Sequence, residues 1–469
     1  MLAHELIRKD IEIVDLLANR TYTANEINNY TQYLKHTIHN RLNGDTLNKI
    51  VFVDTNDFFI VVCCMKATWE LGASIFLNDV DPKVKSLPYF KKFYQVIDCV
   101  IGSASDSGWI DDKRKHIATD NFVQIINTTH PNFELPLSDV ITENHICYYT
   151  TSSGTTGDPK LLSFTHYQTV TISNEIKQYL ALTSVDRPYH YKTLHHSSLF
   201  NSYALPFLNV CKTHYTGLFN GDANEFLTIL CGYIQKFNLT HFLTPYSWIR
   251  SFNNIESVKF SVPLTLVTVQ GNTDYEMKDL FNRFNIKQVF NYFGCSEIGT
   301  MFISRTTSTN LDQYNPNRFH DITSYIDYKI LTNTVECKWK HTDDWIVLTD
   351  KMHRDEDGSI WHYGREVTFT IDDQTVILHD LNQLIEEEIG TSQFITVPDY
   401  KLQLLYLALF KENLSADRLA KLNMKIQQTF SSVFFISSVH QFDPTELLFG
   451  MKISGPLLLY LFRERKNTQ

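Results

Sequence analysis

The sequence predicts an α/β fold, arranged as a large N-terminal domain followed by a small α+β domain. Three observations predict it. Apolar, β-rich runs alternate with helical ones as far as Phe290, the pattern of buried, mostly parallel strands joined by helices. At 469 residues the chain is too long for one hydrophobic core. Beyond Lys329 the pattern shifts to short strands around an acidic turn, and the stretch after Gly364 mixes strands with an amphipathic helix.

Taken in order, Ile50, Val51, Phe52 and Val53 make 49–55 a strand. Asn56 is expected to cap a helix over 57–71, with Gly72 at its exit. Residues 74–77 return as a strand, and 96–101 form another. The middle repeats the pattern: a strand at 240–243 leads through Pro245 into a helix near Trp248. A strand at 264–269 then ends at Gly271, and a further strand covers 286–290. Thr273-Asp274-Tyr275-Glu276 has capping-box spacing for a helix reaching Phe284. Residues 335–339, 345–348 and 359–363 read as an antiparallel unit, with Asp355-Glu356-Asp357-Gly358 as its turn. Leu419, Leu422 and Ile426 share the core face of a helix over 416–430. A boundary near 364–368 divides the chain into 1–364 and 365–469.

A net charge of −10 leaves no basic surplus for nucleic-acid phosphates, which disfavours a nucleic-acid binder. The eight cysteines include no C-x-x-C pair and most sit in apolar runs, as expected of buried free thiols in a reducing compartment. Cys63 and Cys64 are helix neighbours that point in different directions. The N-terminus has no signal-type apolar core, and Lys66 and Glu70 interrupt the longest apolar stretch, so no membrane span and a cytoplasmic location are expected.

The run Thr151-Ser152-Ser153-Gly154-Thr155-Thr156-Gly157-Asp158-Pro159-Lys160 carries the most chemical information. It follows an apolar, aromatic strand at 146–149. Its glycines let backbone amides approach an anion, and its hydroxyls and the Lys160 ammonium add donors suited to a polyphosphate. An ordinary Ser/Thr/Gly surface loop is the alternative. The common P-loop is excluded, because only two residues separate Gly154 from Gly157 and Leu161 follows Lys160. The run, with Thr165-His166 shortly after it, resembles the phosphate loop of the adenylate-forming superfamily: acyl-CoA synthetases, nonribosomal adenylation domains and luciferases.

Two further segments resemble that superfamily in the same order. In Asn291-Tyr292-Phe293-Gly294-Cys295-Ser296-Glu297, after the strand at 286–290, a hydroxyl and a carboxylate could hold an ATP phosphate and its Mg²⁺. An exposed turn with a capping glutamate is the alternative. The resemblance implies that Asn291 and Phe293 flank the adenine, that Gly294 is a further cofactor-binding position, that Ser296 touches a phosphate and that Glu297 binds the metal. It matches Gly271 to a glycine lying against the base. Trp345 to Asp350, then Asp355 to Gly358, then Tyr363-Gly364-Arg365, matches a third signature. There Asp350 is implied as the acceptor for the ribose hydroxyls and Arg365 as a ribose or phosphate contact at the domain junction. The usual Thr-Gly-Asp reads Leu348-Thr349-Asp350 here.

Two more positions bear on the reaction. The superfamily brings a lysine from its small domain to the substrate carboxylate, and Lys452 in Pro444-Thr445-Glu446-Leu447-Leu448-Phe449-Gly450-Met451-Lys452 is the candidate, with Met451 inserted between the glycine and the lysine. Amino-acid-activating relatives use an aspartate where this chain has His196, and an imidazole is a poor partner for an α-ammonium. A structural histidine is the alternative there.

The resemblance implies a fold of stacked α/β sheets with an antiparallel β subdomain and a mobile C-terminal domain. It implies MgATP and a small carboxylic acid, aryl or aliphatic, as reactants. The acid attacks the α-phosphorus, pyrophosphate leaves, and the acyl-adenylate passes to a thiol of coenzyme A or of a phosphopantetheine on an acyl or aryl carrier protein acting in trans. The hinge reads Val367, and Asp372-Asp373-Gln374 stands where a glycine of the thiol tunnel is expected. Transfer to an amine or hydroxyl is therefore one alternative, and the irregular segment around Lys452 leaves a non-catalytic nucleotide- or acyl-binding homologue as another.

Overall fold

A computed structural model describes residues 1–77, 88–103, 116–119, 125–126, 141–152, 160–190, 194, 200–217, 223–245, 252, 255, 259–269, 277–311, 317–331, 334–365, 368–390, 394–399, 402–410, 414–442, 448–449, 452–453 and 462. Two large sheets organise it. One has six strands, in the order His116–Ala118, Cys99–Gly102, Ile50–Asp54, Ser74–Phe76, Ile146–Thr151 and Leu161–Thr165. Its strands pair in parallel except the last, which turns back antiparallel. The other has nine, in the order Asp321–Ile322, Gly299–Thr307, Ile286–Cys295, Leu264–Val269, His241–Pro245, Pro188–His190, Thr213–Thr216, Glu12–Asp15 and Arg20–Tyr22. Its middle is parallel and both margins are antiparallel. Parallel strands covered on both faces need unbroken apolar runs, and every residue of Ile50–Asp54 and of Leu264–Val269 is buried.

The helix Phe58–Glu70 leaves the end of Ile50–Asp54. Its cap is Asp57 rather than the expected Asn56: the Asp57 carboxylate accepts the Ile60 amide at 3.1 Å. An anion there also meets the positive end of the helix dipole. Gly72 ends the turn at φ +71°, and a Cβ on it would press on the Ile141 side chain. The fully buried Trp69 donates its indole N–H to the Cys147 carbonyl at 2.7 Å, and the Ser74 hydroxyl reaches the Ile146 carbonyl at 2.7 Å. Each bond contributes about 1 kcal/mol, and together they fix the start of the strand that leads to the hydroxyl-glycine run. The helix Ala24–Arg41, with a Thr23–Glu26 capping box, is tied to Phe58–Glu70 by a largely buried Lys35–Glu70 ion pair at 2.9 Å. All eight cysteines are free, and Cys295 is the one not fully buried.

The expected antiparallel unit after Lys329 is two three-stranded sheets. One joins Ile326–Ile330, Val335–Trp339 and Ile346–Leu348; the other joins Arg318–Phe319, Ile360–Arg365 and Asp350–Arg354. The strand Asp350–Arg354 was not anticipated, because its alternation of acid, base and Met lacks β-branched residues. The turn Asp355 to Gly358 lies where expected, with Gly358 at φ +85°.

After Arg365 the chain has a core of its own. Phe369, Leu381, Ile385, Leu407 and Ile436 form it with Leu422 and Ile426 of the helix Ala416–Thr429, while Leu419 packs partly buried against it. Asp372 and Asp373 both take positive φ, 45° and 62°, in the two-residue hairpin between Thr368–Ile371 and Gln374–Ile377. The expected helix near Trp248 and the capping box at 273–276 lie outside the described residues. Among the described residues no helix is long and apolar enough to cross a membrane.

Buried histidines give the fold an acid-sensitive window. His190 donates from Nε2 to Nδ1 of His214 at 3.2 Å, and His214 Nε2 donates to the Cys211 carbonyl at 3.2 Å. His166 accepts the Ala3 amide at Nδ1. Burial lowers His166 and His214 to about 4, and His190 well below the ordinary value. Between the ordinary value of 6.5 and about 4, the unfolded chain holds protons that the native chain does not. Stability should therefore fall as the pH drops through that window. The urea midpoint is expected to decrease from about pH 7.5 to about pH 5; an unchanged midpoint would contradict neutral burial of these rings.

Candidate active site

The two ends of the hydroxyl-glycine run are held together by a pair of antiparallel strands. Ile146–Thr151 pairs antiparallel with Leu161–Thr165, Thr151 opposite Leu161. Beyond that pair, the Ser152 amide donates to the Lys160 carbonyl at 2.9 Å, and the Lys160 amide donates to Ser152 Oγ at 2.9 Å. Ser152 and Lys160 thus form the neck of the hairpin. Thr151 and Ser152 are half-buried and Lys160 is exposed. Ser153, Gly154, Thr155, Thr156 and Gly157 lie outside the described residues.

The strand leaving this neck runs into the helix His166–Tyr179. Thr165 caps it: Thr165 Oγ1 accepts the Gln168 amide, and the Gln168 side chain accepts the Thr165 amide at 2.9 Å. The same helix reaches the nine-stranded sheet. Both Glu175 oxygens are engaged by Ser324, its amide at 2.5 Å and its hydroxyl at 2.6 Å. Ile172 lies over Gly299, where a Cβ would come within 3.0 Å of it and where φ is +95°. Only glycine tolerates both conditions.

Gly299 ends the turn that carries the second signature. Sequence spacing set Asn291 to Glu297 after the strand; instead Asn291 to Cys295 belong to it, and the turn is 296–298. The strand extends because Gly299–Thr307 returns antiparallel and pairs along its length. The register shifts between Phe293 and Gly294, and a Cβ on Gly294 would strike the Gly299 carbonyl. Asn291 is buried, and its side-chain oxygen accepts the Thr268 hydroxyl at 3.1 Å. Phe293, Ser296 and Glu297 are half-exposed. Gly271 lies outside the described residues.

The third signature meets the second through a residue that sequence reading did not single out. Asp350 is buried, and His362 Nε2 lies 2.9 Å from its Oδ1. A carboxylate only accepts, so the ring N–H donates. The His362 ring lies 4.8 Å from that of Phe293. Phe293 and Asp350, separate in sequence and on different sheets, are thereby joined through one imidazole. Arg365 stands opposite Asp350 in the ladder, its side chain outside the described residues. Lys452 is in the short strand Lys452–Ile453, paired with Leu448–Phe449, and its side chain too lies outside them, as does His196.

A family model of AMP-binding enzymes matches residues 79–331, a span that holds both the hydroxyl-glycine run and the Asn291 to Glu297 segment. The chain belongs to the AMP-binding enzyme family. No curated protein matches it by sequence. Solved structures match it in fold. The anthranilate CoA ligase AuaEII, in complex with anthranoyl-AMP, is 14% identical, with 99% of this chain and 97% of that one covered and a TM-score of 0.66. The benzoate CoA ligase from Burkholderia xenovorans LB400 is 10% identical, with 99% and 100% covered and a TM-score of 0.68. McyG A-PCP, complexed with phenylalanyl-adenylate, is 13% identical, with 97% and 80% covered and a TM-score of 0.70. At these identities the likeness is one of fold.

The described residues of the 296–298 turn suit a magnesium ion bound together with substrate phosphates. Among the described residues no group of three or more His, Cys, Asp or Glu side chains gathers into a metal cage. Glu297 is a single half-exposed carboxylate beside the Ser296 hydroxyl, a donor set suited to Mg²⁺, which keeps several waters and binds through one or two carboxylates and substrate phosphates.

Proposed function

We propose that this AMP-binding enzyme activates a carboxylic acid with ATP, forming an acyl-adenylate and pyrophosphate, and transfers the acyl group to a thiol of coenzyme A or of a carrier protein. The observation that carries this reading is the family match across 79–331, which takes in the candidate phosphate loop and the candidate metal turn together. The acid is proposed as aryl or aliphatic rather than an α-amino acid, on the ground that His196 stands where an ammonium partner would be an aspartate.

In this reading the triphosphate lies on the loop whose neck is Ser152 and Lys160. The Lys160 ammonium and the loop amides offset charge on the leaving pyrophosphate. A magnesium ion held at Glu297, with Ser296 nearby, would supply further positive charge to the phosphate oxygens. Asn291 and Phe293 flank the base, Asp350 accepts the ribose hydroxyls, and Arg365 contacts the ribose or a phosphate. Lys452, on a C-terminal domain of residues 365–469, stabilises charge between the carboxylate and the α-phosphate. Much of the acceleration comes from holding two mutually repelling anions in line. The separate core after Arg365 supports that domain division. One observation favours transfer to an amine or hydroxyl instead: the Asp372-Asp373 hairpin occupies the stretch where a thiol-tunnel glycine is expected.

A pyrophosphate-exchange screen with MgATP against aryl, fatty and amino acids tests the reading, and exchange is expected with an aryl or fatty acid. Exchange with amino acids alone would overturn the substrate class, and none at all, with ATP bound, would favour a non-catalytic homologue. Lys160→Ala and Glu297→Ala should each lower exchange by roughly 10²–10³-fold without changing the circular dichroism spectrum, both residues lying at loop ends. Wild-type exchange in either would remove it from the site. Lys452→Ala is expected to abolish exchange while calorimetry still records ATP binding; unchanged exchange would mean that another group serves.

A further inference from the structure

A β-bulge puts His362 where it is. Asp350 pairs with Arg365 and Lys351 with Gly364, but Met352 then pairs with His362, leaving Tyr363 as the extra residue. Residues opposite one another in an antiparallel ladder share a face. In an unbroken ladder, alternation back from Arg365 would put Tyr363 on the face of Asp350 and His362 on the other. The bulge shifts that pairing, so His362 faces the same way as Met352 and Asp350. The His362 amide is further tied to the Asn317 carbonyl at 2.8 Å, which holds the bulged strand against its other neighbour.

We infer that His362 is a positioning residue for nucleotide recognition: its imidazole orients the Asp350 carboxylate toward a ribose and backs the Phe293 ring that borders the base. The inference rests on the adenylation reading and deepens it. The hydrogen bond from Nε2 to Oδ1 stops the carboxylate from rotating, while a carboxylate has about four acceptor directions and can still receive ribose hydroxyls. Both side chains are largely shielded, at 13% exposure for His362 and 3% for Asp350, so little water competes for that bond. The ring contact with Phe293 at 4.8 Å makes one residue the common support of the base side and the ribose side of the site.

Calorimetric titration with ATP and with 2′,3′-dideoxy-ATP, on wild type, His362→Phe and His362→Gln, tests this without knowledge of the acid. The phenylalanine keeps a ring against Phe293 and removes the donor; the glutamine returns an N–H near the position of Nε2. His362→Phe should weaken ATP by roughly 10- to 100-fold, the range for a lost hydrogen bond to a charged group, and leave the dideoxy analogue unaffected. His362→Gln should recover most of the loss. Equal weakening of both nucleotides by His362→Phe would reduce the histidine to a packing residue, and no weakening would remove it from the site; either overturns the inference while the adenylation reading stands. Wild-type protein that binds neither nucleotide would overturn both.

Discussion

The helix His166–Tyr179 is the part on which the rest of the site depends. Its first turn is capped by Thr165 at the exit of the hairpin whose neck is Ser152 and Lys160. Its middle, through Ile172 over Gly299, packs on the end of the turn that carries Ser296 and Glu297, while Glu175 binds Ser324. A capped helix is stiff along its axis, so the distance between the hairpin neck and that turn is set by packing rather than by loop conformation. Loops that bind anions are placed accurately only when their ends are held by such elements.

Both sheets turn back at the edges that carry chemistry. In a parallel sheet the loops at strand ends lead into helices on the faces, but here Ile146–Thr151 and Ile286–Cys295 each pair with an antiparallel successor. An antiparallel return holds both ends of a loop in one ladder, which narrows the positions its residues can take. At Ser152 and Lys160 the return closes the neck of the loop; at Gly294 and Gly299 it forces a close backbone approach that excludes any side chain from the first position. Gly294 of the second signature and Gly299 just beyond it are thus explained by backbone geometry alone, whichever ligand the turn receives.

Much of the fold was legible in the sequence because burial leaves a one-dimensional trace. The strand Leu264–Val269 falls on its expected bounds, since six consecutive buried positions require six residues that tolerate burial. The helix ending at Gly72 and the core face of Leu422 and Ile426 follow likewise from positive φ and from helical period. Errors arose where a partner decided the outcome. Ile286–Cys295 ran on past Phe290 because a strand that returns later in the chain pairs with it, whereas the cap at Asp57 rather than Asn56 is a one-residue difference within the same local turn. The strand Asp350–Arg354 has no β-forming run to announce it, and its existence rests on the ladder with Ile360–Arg365.

For the site, the sequence by itself determined which chemical groups are present and in what order: hydroxyls and glycines before Lys160, Asn291 to Glu297, and Asp350 ahead of Arg365. Side-chain type and spacing are local properties, and a signature of that kind needs no tertiary information to be read. Only the tertiary structure decided which groups meet. His362 comes to Asp350 because a single extra residue in the ladder reverses the alternation, and it comes to Phe293 because two sheets pack. A bulge is chosen by the pairing of two strands and not by the residues within either one, so no reading of that stretch alone could have put the imidazole beside the carboxylate.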